Sequence, residues 1–230
     1  MTRVGAWYCG AVGGVVGAVV LLTGCSSTVT GTAVGPIDAD GVREAQLTDV
    51  LLPIDDLNAA VGATDMVVSS EQEELSDHSD DVSDTGCLGA VFAGEDKVYG
   101  ETDWVAVRDQ VAAEPDDDND HWVQQTAVLY PGAEQARAFY EDSRSSWQGC
   151  AGDTITISDG MSTYLWDLGD VAETDDVLTQ TSGQQDSEGW ACQHAISAVT
   201  NVIVEAWACG YTIEDEAVAV VSEMAANVGG

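Results

Sequence analysis

The sequence is poor in cations: 6 Lys and Arg face 41 Asp and Glu among 230 residues. Nucleic acids and anionic lipid surfaces are recognised through clusters of Lys and Arg that neutralise phosphate, so this balance argues against both as partners. Histidine is scarce as well, limited to His78, His121 and His194. The motifs that build hydrolytic sites are missing: there is no Gly-x-Ser-x-Gly elbow and no His-Glu-x-x-His, and Ser158 beside Asp159 makes no triad. No glycine loop follows a strand to cradle phosphate, and no Cys-x-x-Cys pair offers thiolates to a metal. The expectation is a protein that is not an enzyme, with no catalytic residues, no metal and no cofactor.

An uninterrupted membrane span is also missing. A spanning helix needs about 20 consecutive apolar residues, and the apolar start of this chain is broken by Gly5, Gly10, Gly13, Gly14 and Gly17. Residues 1–24 instead read as a targeting signal, with Arg3 ahead of an uncharged apolar run. It ends in Leu22-Thr23-Gly24-Cys25, which resembles the lipobox of bacterial lipoproteins. Small residues let the chain enter a peptidase cleft, and the Cys25 thiol takes up the lipid. Several acyl chains (palmitate among them) on one cysteine anchor more firmly than a single chain. The expected product is held on the extracytoplasmic face of the cell membrane. It would be one unit more negative than the full sequence, whose net charge is −35, which suits solubility in the cell envelope.

Residues 25–46 are small and polar around Gly31, Gly35 and Pro36 and read as a lipidated cysteine with a flexible tether. The domain is expected over 47–230, a length that fits one core. The pattern predicts a short helix over 54–61 and an amphipathic helix after Gly132, with Ala136, Tyr140, Ser143 and Trp147 on one stripe. A C-terminal helix follows, with Thr212 and Asp215 as a capping box and Ala217, Val221, Met224, Ala225 and Val228 on one face. Strand-like runs occupy 122–130, 154–158, 162–171 and 176–182, with two more after Trp190. Polar stretches around 113–121 and 182–189 read as loops, and no internal repeat is present. The fold class is α+β, a mainly antiparallel sheet packed with helices.

Without Cys9 and Cys25, four cysteines remain: Cys87, Cys150, Cys192 and Cys209. An even remainder in an exported domain implies two disulfides. CQHAISAV and VIVEAWAC flank Thr200-Asn201 symmetrically, so a hairpin turning there sets Cys192 directly opposite Cys209. Cys87 then joins Cys150. The same pairing separates two faces: Ala195, Val199, Val202, Val204, Ala206 and Ala208 form a core side. His194, Ile196, Glu205 and Trp207 share the other side with the disulfide, with His194 opposite Trp207 and Glu205 diagonal to it. Asp116, Asp118 and Asp120 alternate like a calcium loop. His121 at the sixth position and Ala127 at the twelfth break that pattern, leaving a loose cation site over 116–120 as the remaining metal reading.

GCLGAVFAGEDKVYGETDWVAVRDQ, WVQQTAVLYPGAEQARAFY, SSWQGC and WACQHAISAVTNVIVEAWACG together resemble the PknH-like extracellular sensor domain. The anchors of the likeness are Cys87, Trp104, Arg108, Trp122, Gln125, Trp147, Cys150, Cys192, Asn201 and Cys209. The family occurs at the outer end of a membrane receptor kinase and as stand-alone actinobacterial lipoproteins. The resemblance implies a twisted antiparallel sheet, two disulfides and a cleft for an external ligand, with no catalytic residues to transfer. Trp122, Trp166, His194 and Trp207 are the expected lining of that cleft, since aromatics give large contact area at small entropic cost. The expected function is a sensor-like lipoprotein that binds an unknown envelope ligand or protein partner. With no kinase domain in the sequence, it would hand its bound state to another protein. The alternative is a structural or protein-interaction lipoprotein of the envelope surface.

Overall fold

The structure, a computed structural model, describes residues 41–115, 120–158 and 160–229. The signal peptide, Cys25 and most of the tether lie outside the described residues, as do Asp116 and Asp118. Among the described residues no helix is long and apolar enough to cross a membrane.

Eight antiparallel strands form one sheet in the order β1-β2-β3-β8-β7-β6-β5-β4. They are β1 (Val67–Gln72), β2 (Ala106–Ala113), β3 (His121–Leu129), β4 (Thr154–Ser158), β5 (Thr163–Thr174), β6 (Val177–Gln184), β7 (Ala191–Val199) and β8 (Val202–Gly210). The sheet is two meanders, β1–β3 and β4–β8, sewn together where β8 pairs with β3. β7 and β8 turn at Thr200-Asn201 in the expected register, Cys192 opposite Cys209 and His194 opposite Trp207. Thr200 takes φ +49°, a left-handed backbone that a β-branched residue rarely adopts.

Helices cover both faces of this sheet. On one lie a 3-10 helix (Glu44–Val50), α1 (Ile54–Val61) and α5 (Glu216–Val228), packed on Ala195, Val202, Val204, Ala206 and Ala208. On the other lie α2 (Leu88–Val91), α3 (Asp96–Tyr99) and α4 (Ala133–Cys150), packed on Cys192, Ile196, Ile203 and Trp207. Both sides of the hairpin are therefore core, and every residue of β8 is buried. Two covered faces explain why VIVEAWAC is so continuously apolar, since a one-sided strand would alternate. α4 buries Ala136, Tyr140, Ser143 and Trp147 as its stripe predicts. Each large apolar side chain so buried contributes about 1.5–3 kcal/mol.

Several buried side-chain amides hold segments that no strand reaches. The Asn201 amide donates to the Val42 and Tyr130 carbonyls and accepts from the Val42 N–H, so Val42 is already held by the fold, ahead of Leu47. Gln125 brackets Leu52 in the same way, accepting from its N–H and donating to its carbonyl. The start of α5 is capped across the sheet: Gln193 Oε1 accepts from the backbone N–H of Ala217 and Val218. Asp215, not Thr212, precedes the helix, and its side chain makes no capping bond. The expected capping box is thus replaced by a residue from β7, a long-range partner that local spacing does not reveal.

Residues 73–105, between β1 and β2, form a strap across the α4 face. It touches β4 at the far edge, where Val82 bridges Ile157 and Ser83 Oγ accepts from the Thr156 N–H. It is then fastened to the end of α4 by Cys87–Cys150, with Cα atoms 5.7 Å apart. The second disulfide, Cys192–Cys209, ties β7 to β8 with Cα atoms 4.0 Å apart.

Candidate functional site: a buried polar cluster beside a helical groove

Between strap and sheet lie side chains that a core normally excludes. Glu95 of the strap and Asp109 and Glu205 of the sheet are all buried, at 0%, 5% and 3% exposure. Buried carboxylates persist only with hydrogen-bond partners, and the strap supplies most of them. Glu205 Oε2 accepts from the Tyr99 hydroxyl at 2.8 Å and from the Gly94 N–H at 3.2 Å, while Oε1 meets His194 Nε2 at 2.8 Å. His194 Nδ1 faces the Ala90 carbonyl at 3.3 Å. Both ring nitrogens thus lie within reach of an oxygen, the carboxylate on one side and a backbone carbonyl on the other. Trp147 of α4 lies over the same imidazole, ring centroids 4.3 Å apart.

Two strands beyond β8, on β2, Asp109 Oδ2 accepts from Gln124 Nε2 at 2.7 Å and from the Thr126 hydroxyl. Burial pushes the Asp109 carboxyl above its usual value; the Thr126 and Gln124 bonds oppose that, and the charges of Glu205 and Glu95 add to it. Burial, then the adjacent Glu205 carboxylate, holds the Tyr99 phenol well above its usual range. Glu95 is bonded to the half-exposed His78, chiefly through the bond that raises the imidazole above its ordinary value. His78 stacks on Phe92, whose ring meets Trp207 edge-on, and Trp207 in turn meets Trp122.

The four expected lining residues are packed parts of this face. His194, Trp166 and Trp207 are buried, and Trp122 is half-buried against the same core. Their rings fill the space between sheet, strap and α4, which the single-core picture left open. The groove lies one layer outward, where α4 runs beside the strap. It has a volume of about 450 Å³ and is lined by Gly86, Gly89, Lys97, Val98, Glu101, Phe139, Asp142, Ser143 and Trp147 among others. That is the size of a small-molecule site. Ser143 and Trp147 were legible as one helical stripe, but the opposite wall comes from two four-residue helices too short for any periodic signal.

The candidate cation loop gains no support at its described end. Asp120 and His121 border a separate cavity of about 380 Å³, His121 pairs with Glu114 at 2.7 Å, and Ala127 is buried within β3. Among the described residues no group of three or more His, Cys, Asp or Glu is placed to hold a metal ion.

An antiparallel sheet covered on both faces at its centre, two disulfides and a groove beside one of them make up an α+β domain with a recess of small-molecule size. The chain belongs to the PknH-like extracellular domain family, whose model matches residues 42–227. Over 176 residues it is 36% identical to the serine/threonine-protein kinases PknH of Mycobacterium bovis and Mycobacterium tuberculosis. Those stretches cover 76% of this chain but 30% and 28% of the kinases, so the chain spans less than a third of the length of these curated relatives. It also resembles the crystal structure of the extracellular domain of Mycobacterium tuberculosis PknH, with a TM-score of 0.78 and 33% identity, covering 82% of this chain and 97% of that one. The similarity is thus to the extracellular part of a kinase and not to its catalytic part.

Proposed function

We propose that the chain is a cell-envelope lipoprotein, anchored through Cys25, whose domain is a non-catalytic, sensor-like ligand-binding module on the extracytoplasmic face. The observation that carries this reading is its membership of an extracellular domain family over residues 42–227. In such a kinase, recognition outside is separated from chemistry elsewhere, so the part shared with this chain is the recognising part. The groove between α4 and the strap supports ligand binding, and Leu22-Thr23-Gly24-Cys25 supports the anchor.

The test uses the full chain expressed in an actinobacterial host. Metabolic labelling with palmitate should mark the native chain and not C25A, and the native chain should sediment with membranes. Mass spectrometry of the detergent-extracted chain should find a co-purifying small molecule. An unlabelled chain in the soluble fraction would remove the anchor; a chain with nothing bound, stabilised by no envelope extract, would remove the ligand.

A second reading, a protein-interaction module, is favoured by β1. That edge strand exposes Val67 and Val68, at 48% and 38%, and an open edge can add a partner's strand. Crosslinking that captured a protein at β1, with the groove empty, would support it.

A further inference from the structure

We propose that the groove between α4 and the strap binds a saccharide carrying a free amine, a hexosamine unit; this rests on the ligand-binding reading above. The floor presents two donors with no partner among the described residues. Ser143 is 7% exposed and lines the groove, and its hydroxyl bonds to no other described residue, not even to the carbonyl one turn back. Trp147, on the same stripe, is 2% exposed, and its indole N–H makes no hydrogen bond to a described residue. Neither polar atom is sealed from solvent, so each opens onto the groove and its water, which an entering polar group can replace.

The walls add charge of one sign. Glu101 on the strap side and Asp142 on α4 flank the recess, and neither makes an ion pair or a hydrogen bond with a described residue. The cation of the groove, Lys97, is already turned to Asp77 at 3.5 Å. A carboxylate or phosphate ligand would therefore meet two uncompensated anions within a chain of net charge −35. An ammonium group meets the complement of its charge, and ring hydroxyls supply acceptors for Ser143 and Trp147 and donors for the carboxylates. The apolar floor is limited to ring edges, since Phe139 and Trp147 are 5% and 2% exposed. That leaves little for an acyl chain and suits a compact polar ring.

Calorimetric titration of the full chain in detergent, at physiological ionic strength, uses a glucosamine trisaccharide as probe. The N-acetylated trisaccharide, a galacturonate trisaccharide and spermidine are run beside it. The expected result is saturable binding of the glucosamine trisaccharide, weakened roughly tenfold by D142N, which removes the charge facing the ammonium, and severalfold by S143A, which removes one hydrogen bond. E223Q, on the exposed side of α5, should leave it unchanged. Acetylation should weaken binding and galacturonate should not bind.

Equal affinity in D142N, S143A and the native chain would overturn the site. Spermidine binding as tightly as the trisaccharide would overturn the saccharide, leaving only charge attraction. A lipid or peptide as the co-purified molecule, with no trisaccharide binding, would overturn this inference and leave the ligand-binding reading standing. Absence of any ligand would remove both.

Discussion

Truncating Glu205 should be among the most damaging single changes to this domain. E205A leaves the Tyr99 hydroxyl, the Gly94 N–H and His194 Nε2 without the acceptor they share, all in a region closed to water. Each orphaned group costs about 1–3 kcal/mol, so the three together cost about 3 kcal/mol or more. For a domain of this length, about 2–4 °C are lost per kcal/mol, so the midpoint should fall by about 10 °C or more. E205Q is the informative control. Its oxygen can still accept from Tyr99 and Gly94, while its amide donates to His194 Nε2, with the imidazole proton kept on Nδ1 toward Ala90. That variant should lose only about 1 kcal/mol, the net worth of one ordinary hydrogen bond. Urea denaturation at neutral pH with the disulfides intact measures both. A loss below about 1 kcal/mol for E205A would refute the claim that these donors have no other acceptor.

The His78–Glu95 contact makes stability depend on pH in one direction. Because the folded imidazole is raised above 6.5, its contribution is complete below that value and fades as pH rises through the folded value. Stability should therefore fall by under about 1 kcal/mol between pH 6 and 8, the discount reflecting a side chain 40% exposed, and H78A should flatten that slope. Replacing both Cys87 and Cys150 by Ala opens a 63-residue loop and should cost about 4 kcal/mol in the chain-entropy model, against about 3 for the 17-residue Cys192–Cys209 loop. Hydrogen exchange should then quicken across residues 73–105 while β7 and β8 stay protected; uniform quickening would contradict the strap as a separate layer. N201A frees both polar groups of Val42 and the Tyr130 carbonyl. Limited proteolysis should then cut ahead of Leu47 within minutes, and an unchanged digestion pattern would show that the amide does not hold the segment.

Much of the fold was legible where apolar periodicity and a symmetric centre coincide. α1, α4, β3–β8 and the Cys192–Cys209 disulfide belong there, because their signals lie within one element or one hairpin; Cys87–Cys150 followed as the remaining pair. β2 was illegible because Arg108, Asp109 and Gln110 interrupt it, and the bonds that Gln124 and Thr126 give to one oxygen of the buried Asp109 come from the neighbouring strand. β1 is an exposed edge with burial too shallow to leave a pattern. The cap of α5 escaped because Gln193 acts from 24 residues away. The hairpin faces were sorted correctly, yet the conclusion that one side faced a cleft failed: a strap with no periodic signal covers it. The groove is missed for the same reason, since half its wall is that strap.

The attachment of Val42 to Asn201 also sets how the domain would bear load. Val42, near the start of the described residues, is held beside the turn between the two innermost strands, and not at a sheet edge. Tension on the segment ahead of Val42 would meet side-chain amide bonds at the tip of the β7–β8 hairpin before any strand-to-strand bond. Those bonds can break and reform without unzipping a ladder. The junction would act as a mechanical fuse, yielding first and leaving the sheet, its disulfides and the groove undeformed.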